Sequence, residues 1–318
     1  MDLFELLKAL LIGIVEGVTE WLPISSTGHM ILFDEFVTLK VSPEFLTMFL
    51  VVIQLGAIMA VIMLYFHKLN PFSPRKDAGE RRATLGLWAK VVVGCIPAAV
   101  IGFLLDSWVG EHFYTAVVVA CALIVYGVAF IVVERLKGGG GAVQGGVGQV
   151  LGRRSGSYGG RHARHASDVR SSYTAQTLVA ADELDRLSFA RALGIGAFQC
   201  LAIIPGTSRS GSTILGGLIL GVPRQVATEF SFFLAIPVMF GWSLLKVVKA
   251  FFEGLSMTGT EWGVLAVGTV VSFFVSVVAI RFLIGYIKGH SFAVFGWYRI
   301  VLGIVVLIFF AATGSLFM

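Results

Sequence analysis

The feature that most limits this chain is a succession of apolar stretches, each about 20 residues long, from its first residues to its last. A helix of that length matches the hydrocarbon core of a bilayer. The pattern predicts spans at roughly 45–66, 86–105, 113–134, 226–250, 262–286 and 291–315. Only 14% of residues are charged and 57% are hydrophobic, with a mean hydropathy of +0.88, whereas soluble domains carry about 25% charged residues. The expectation is an all-α polytopic membrane protein.

Two further apolar segments, 1–37 and 188–222, are interrupted. "WLPISSTGH" breaks the first and "IIPGTSRSGST" the second. Proline removes a helix donor and glycine loosens helix ends. Irregular backbone at membrane depth survives only where protein buries it or where it lines a wet cavity. Both segments are therefore expected to be re-entrant helical hairpins. The first begins with Asp2 and Glu5 and has no basic leader, so it does not read as a cleaved signal peptide.

The net charge of +5 fits topology better than nucleic-acid binding, and no nucleic-acid partner is expected. Lys68, Arg75, Lys76, Arg81 and Arg82 crowd the connection at 67–85, and Arg281 and Lys288 that at 281–290. "DSWVGEH" and "FFEGLSMTGTEW", read as the alternate connections, have no lysine or arginine. The basic set is then cytoplasmic and both termini lie outside. Residues 138–187 are rich in Gly, Ser and Arg and read as a flexible cytoplasmic linker, suited to resting on anionic headgroups. His162 and His165 in it are too little to imply a metal site. Cys95, Cys121 and Cys200 have no paired spacing and read as small core residues.

Sliding the chain by 183 residues lays Glu16 over Gln199, Ser25 over Ser208, Thr27 over Ser210 and Gly28 over Gly211. Each half then reads as one hairpin followed by three spans, 1–137 and 188–318. Three is odd, so the second copy would be inverted in the membrane. Inverted repeats place binding sites at their interface, built from broken helices.

The breaks carry the chemistry. Glu16 and Glu20 share a helix face one turn apart, and carboxylates in a membrane segment usually face a cavity or a partner. Their oxygens suit Mg²⁺ or Ca²⁺. Ser25, Ser26 and Thr27 can cap a helix starting near Gly28. His29 beside them adds a group suited to acid–base work. In "PGTSRSG", 205–211, small residues admit a close ligand, and Ser208 and Ser210 flank Arg209, whose planar fork suits phosphate oxygens. A plain capped helix with a snorkelling arginine is the simpler reading, but the repeat sets Arg209 opposite Ser26. Together the tips describe a site for a phosphate on an amphiphile.

"EGVTEWLPISSTGH" and "PGTSRSG" resemble the glutamate-rich and arginine motifs of the undecaprenyl-diphosphate phosphatase family, also known for bacitracin resistance. "FLVVIQLGAIMAV", "EFSFFLAIPVMFG" and the C-terminal helices are similar too. The resemblance covers nearly the whole chain outside about 138–187, where the basic insertion departs from the family's short connection. It implies a divalent-metal-dependent enzyme of the bacterial plasma membrane, its site open to the outer face. The implied reaction removes the terminal phosphate of undecaprenyl diphosphate, returning the carrier lipid to cell-wall synthesis. By motif position, Glu16 and Glu20 would bind metal or activate the nucleophile. Ser26 and His29 would share attack and proton transfer, and Arg209 would hold the diphosphate. Ser25, Thr27, Ser208 and Ser210 would assist binding. The nucleophile is either Ser26, with His29 as base, or a metal-bound water. The implied partners are a polyprenyl diphosphate lipid and the bilayer, and the sequence is compatible with a homodimer. The rival class is a lipid-phosphate flippase or small-anion transporter on the same repeat. Transport needs binding alone, whereas Glu16, Glu20, Ser26 and His29 together suit bond breaking.

Overall fold

The computed structural model describes residues 2–139 and 183–314. Most of the expected linker at 138–187 lies outside these residues. Its last part does not: Leu184 and Leu187 are buried, and Lys90 Nζ donates to the Asp185 carbonyl at 2.7 Å.

The described residues form helices joined by short turns. The first interrupted segment is a hairpin of α1 (Leu3–Thr19) and α2 (Ser26–Asp34). After it come α3 (Pro43–Leu64), the single turn α4 (Phe66–Leu69), α5 (Ala78–Phe113) and α6 (Ala116–Gly139). The second interrupted segment pairs α7 (Phe189–Gln199), extended by a 3₁₀ turn (Cys200–Ile203), with α8 (Arg209–Ile219). Then follow α9 (Arg224–Phe252), α10 (Gly259–Ile287) and α11 (Ala293–Thr313). Six helices, α3, α5, α6, α9, α10 and α11, are long and apolar enough to cross a bilayer, so the chain is a multi-pass, all-α membrane protein. The hairpin legs are shorter, and α2, with 9 residues, reaches only about 14 Å.

One boundary departs from the sequence reading. "DSWVGEH" is not a connection but the last turns of α5. That helix has 36 residues, about 54 Å at 1.5 Å per residue, well beyond a hydrocarbon core of about 30 Å. Its ends therefore stand clear of the lipid, where polar helical residues cost little. The actual break is the short turn at Tyr114 and Thr115.

Packing is reciprocal between the halves. α1 lies on α10 and α7 on α5; α3 lies on α10 and α9 on α5; α3 meets α9 and α6 meets α11. Glycines permit the closest of these contacts, because helices in lipid associate by close packing of small residues. A Cβ added at Gly13 would sit 2.7 Å from the Gly268 carbonyl oxygen of α10. Gly196, its counterpart 183 residues on, would drive a Cβ into the Gly94 carbonyl of α5. These contacts seat the first leg of each hairpin against a span of the other half.

Gly196→Ala is expected to lower the thermal stability of the purified protein by about 1–3 kcal/mol, the usual cost of overpacking. Gly285→Ala, where nothing lies within 4 Å of the new Cβ, should be neutral or stabilising. Melting curves in one detergent compare them.

Candidate functional site at the hairpin tips

The two breaks share one geometry. Ser25 and Ser208 have φ of 74° and 71°, a region that residues with side chains avoid and that concentrates at functional sites. Each caps the helix that follows: Ser25 Oγ accepts from Gly28 N at 3.2 Å, and Ser208 Oγ from Gly211 N at 3.1 Å. The expected cap near Gly28 is thus Ser25, with the helix starting at Ser26. Two capped helix N-termini are held at the tips, and a helix N-terminus favours an anion.

An ion pair joins the tips. Arg209 donates to Glu20 Oε1 from Nη2 at 3.0 Å and from Nε at 3.3 Å. Its Nη1 donates to the Ser231 carbonyl of α9 at 3.0 Å, and its guanidinium lies 5.6 Å from the Trp21 ring centroid. The two side chains are 12% and 9% exposed, so removing either would strand the other charge away from water. Glu20 Oε2 accepts from Ser26 Oγ at 3.3 Å. Ser210 Oγ donates to the Glu20 carbonyl at 3.0 Å and lies 3.1 Å from Ser208 Oγ.

Glu16 is buried, and its Oε1 has no hydrogen-bond partner. It lines a cavity of about 590 Å³ together with Ser26, Thr27 and Gln54. Its counterpart Gln199 is also buried, and neither amide atom has a partner. Glu20 falls opposite Ile203, so the repeat carries both carboxylates in one half only.

His29 is bonded to neither Ser26 nor Glu20. Its Nδ1 lies 2.7 Å from the Ser25 carbonyl oxygen, which can only accept, so Nδ1 carries the proton. Nε2 is left to accept from the Tyr298 hydroxyl at 2.6 Å, with the two rings stacked 5.5 Å apart. Ser26 is therefore bonded to Glu20 and His29 to Tyr298, and the two are not bonded to each other.

Arg299 and Tyr298 were not singled out in the sequence. Arg299 is fully buried in α11. Its Nη1 donates to the Pro23 carbonyl at 3.3 Å, and its Nη2 to the carbonyls of Gly206 and Thr207 at 2.7 and 2.9 Å. One guanidinium thus ties both tips together from behind. The signal was available: an arginine inside the apolar stretch "WYRIVLGIVV" is a functional candidate by default.

Among the described residues no three His, Cys, Asp or Glu side chains cluster as a closed metal site. Mg²⁺ does not need one, since it commonly takes one or two carboxylates and leaves other positions to water and phosphate. The partnerless Glu16 Oε1 beside Glu20 fits such a cation.

These features define a polytopic membrane protein with a polar centre where its two hairpin tips meet. The comparisons make the class specific: residues 9–305 match the family described as bacitracin resistance protein BacA, and the chain belongs to that family. It is 49% identical over 308 residues to an undecaprenyl-diphosphatase of Lactiplantibacillus plantarum, covering 97% of this chain and 98% of that one. It is 48% identical to the undecaprenyl-diphosphatase of Enterococcus faecalis, covering 95% and 96%. Undecaprenyl-diphosphatase 1 of Clostridioides difficile is 47% identical, covering 97% of each.

Arg299→Met should leave the three tip carbonyls without their donor and cost about 2–3 kcal/mol, as for hydrogen bonds to a charged group. Thermal unfolding in detergent measures it, and the loss should exceed that of Arg299→Lys.

Proposed function

We propose that this chain hydrolyses undecaprenyl diphosphate to undecaprenyl phosphate and inorganic phosphate in the bacterial plasma membrane. The observation that carries the reading is the linkage Arg209–Glu20–Ser26. It joins an arginine, a carboxylate and a hydroxyl in one partly buried chain of hydrogen bonds. The names and near-complete coverage of the relatives support the same substrate. A flippase would need the cation and the cavity, but not a hydroxyl held on a carboxylate.

Arg209 binds the terminal phosphate. Of its five N–H groups, three are spent on Glu20 and Ser231, leaving two for phosphate oxygens. The N-termini of α2 and α8 add backbone amides, and Thr27 adds a hydroxyl on the cavity wall. The hydroxyls of Ser25, Ser208 and Ser210 already serve the tips, so these residues shape the cradle. Glu16 and Glu20 would hold a divalent cation, Mg²⁺ or Ca²⁺, which when bound supplies charge neutralisation for the diphosphate.

Ser26 Oγ attacks the terminal phosphorus as Glu20 Oε2 takes its proton. The bond from phosphorus to the bridging oxygen breaks, and undecaprenyl phosphate leaves with that oxygen. Water then attacks the phosphoserine, giving up its proton to His29 Nε2 in the place that the Tyr298 hydroxyl holds now. Ser26 leaves as the free hydroxyl, taking back from Glu20 the proton it gave up, and inorganic phosphate is released. Every side chain used comes from one chain, so the chemistry requires no second copy.

The hairpins enter the bilayer from opposite faces as inverted repeats, a reading supported by the reciprocal packing of the halves. The cavity also reaches Gly110 and Tyr114 at the C-terminal end of α5, the end opposite Arg81 and Arg82. With those arginines cytoplasmic, the cavity opens to the outer leaflet.

Purified protein in detergent should release phosphate from undecaprenyl diphosphate with Mg²⁺ or Ca²⁺ and stop when EDTA is added. Glu20→Ala and Arg209→Ala should each lower kcat by at least about 10²-fold, the scale set by loss of one charge-stabilising group. A 32P-labelled terminal phosphate should be trapped on wild-type protein and not on Ser26→Ala. Full activity of Ser26→Ala would sink the serine route in favour of water attack. No release by folded wild type, across metals and pH, would point to transport, and lipid flux in liposomes would be measured next.

A further inference from the structure

The cavity has a second end that the chemistry above leaves unexplained. Besides Glu16 and Ser26, its wall includes Asp34, Thr47, Trp242 and Lys246. Lys246 lies fifteen residues beyond Ser231 on α9, about 22 Å further along the helix axis. Ser231 is the level at which Arg209 is anchored. Ser243 Oγ donates to the Val51 carbonyl of α3 at 3.2 Å, which fixes this part of α9 against the opposite wall. Lys246 is thus held at the mouth while Glu16 and Ser26 sit at the floor.

Its surroundings are unusual for an interfacial lysine. Such residues snorkel to the headgroups or pair with an acid. Lys249, one turn on, does pair with Glu253 at 3.6 Å. Lys246 is partly buried in the cavity wall, and its Nζ rests 4.9 Å from the Trp242 ring centroid. Among the described residues no carboxylate lies within ion-pair distance of it, although Asp34 lines the same cavity. The ring holds the ammonium group in place without neutralising it.

The floor is poorly suited to drawing in a diphosphate by itself. It carries Glu16, and next to it Arg209 is already bonded to Glu20. A multiply charged headgroup approaching from the interface meets carboxylates first unless a cation stands ahead of them. We infer that Lys246 is a phosphate contact at the cavity mouth, engaging phosphate oxygens that pass between the interface and the tips. The inference rests on the phosphatase reading. Those oxygens belong to the lipid diphosphate on its way in or to inorganic phosphate on its way out.

The test compares the full-length wild type, Lys246→Gln and Lys246→Arg in detergent. KM and kcat for undecaprenyl diphosphate are measured at low and high salt, together with inhibition by inorganic phosphate. For capture on the way in, Lys246→Gln should raise KM roughly three- to tenfold, as loss of one steering charge does, with kcat nearly unchanged. Lys246→Arg should restore KM. Salt should raise KM of the wild type more than that of Lys246→Gln. A weaker phosphate inhibition with unmoved KM would assign the contact to the departing product instead. An active wild type matched by Lys246→Gln in KM, salt response and phosphate inhibition would overturn the assignment alone. A wild type that releases no phosphate would overturn the phosphatase reading and this assignment with it.

Discussion

The bond between Arg209 and Glu20 sets the terms for the rest of the molecule. Two opposite charges a few ångströms apart attract strongly away from water, but removing them from water costs more than their attraction repays unless further hydrogen bonds complete the site. Here the completion is visible. Ser231 takes one guanidinium nitrogen, Ser26 donates to the free carboxylate oxygen, and the Trp21 face covers the guanidinium. The pair also spans the sequence, since its partners are 189 residues apart. The hairpins meet there, and the helices around them keep that meeting point out of the lipid.

Holding the tips together takes backbone strain and a second arginine. Ser25 and Ser208 occupy matching unfavourable conformations, and each is fixed by a cap to a glycine three residues on. Arg299 collects carbonyls from both tips that no helix can satisfy. Without a donor, each carbonyl would be stranded in a low-dielectric interior. The symmetry of this framework contrasts with the asymmetry of its chemistry. Glu16 has a carboxylate where Gln199 has a neutral amide, and Arg209 stands where the first tip has Ser26. A doubled scaffold therefore supports one centre, with the carboxylates from one half and the arginine paired to Glu20 from the other.

Much of this was legible in the sequence. Apolar length alone located the six spans, because lipid demands about 20 apolar residues per crossing regardless of neighbours. The interrupted segments betrayed themselves by the polar residues they could not afford to expose to lipid, and these included the floor of the site. "DSWVGEH" misled because polar composition suggests a loop, while helix geometry lets α5 run on past the membrane surface. Arg299 and Tyr298 were missed because they lie in an ordinary-looking final span, far in sequence from the residues they hold.

What the sequence determined by itself is the solvent the chain requires and the residue types that must be hidden from it. Both follow from local composition, and periodicity and length suffice to read them. What only the tertiary structure decided is who bonds to whom. Ser26 is bonded to Glu20 rather than His29, His29 to Tyr298, and Arg209 reaches across to the other hairpin. Directional hydrogen bonds depend on distances of a few tenths of an ångström between elements far apart in the chain, and no local pattern carries that information.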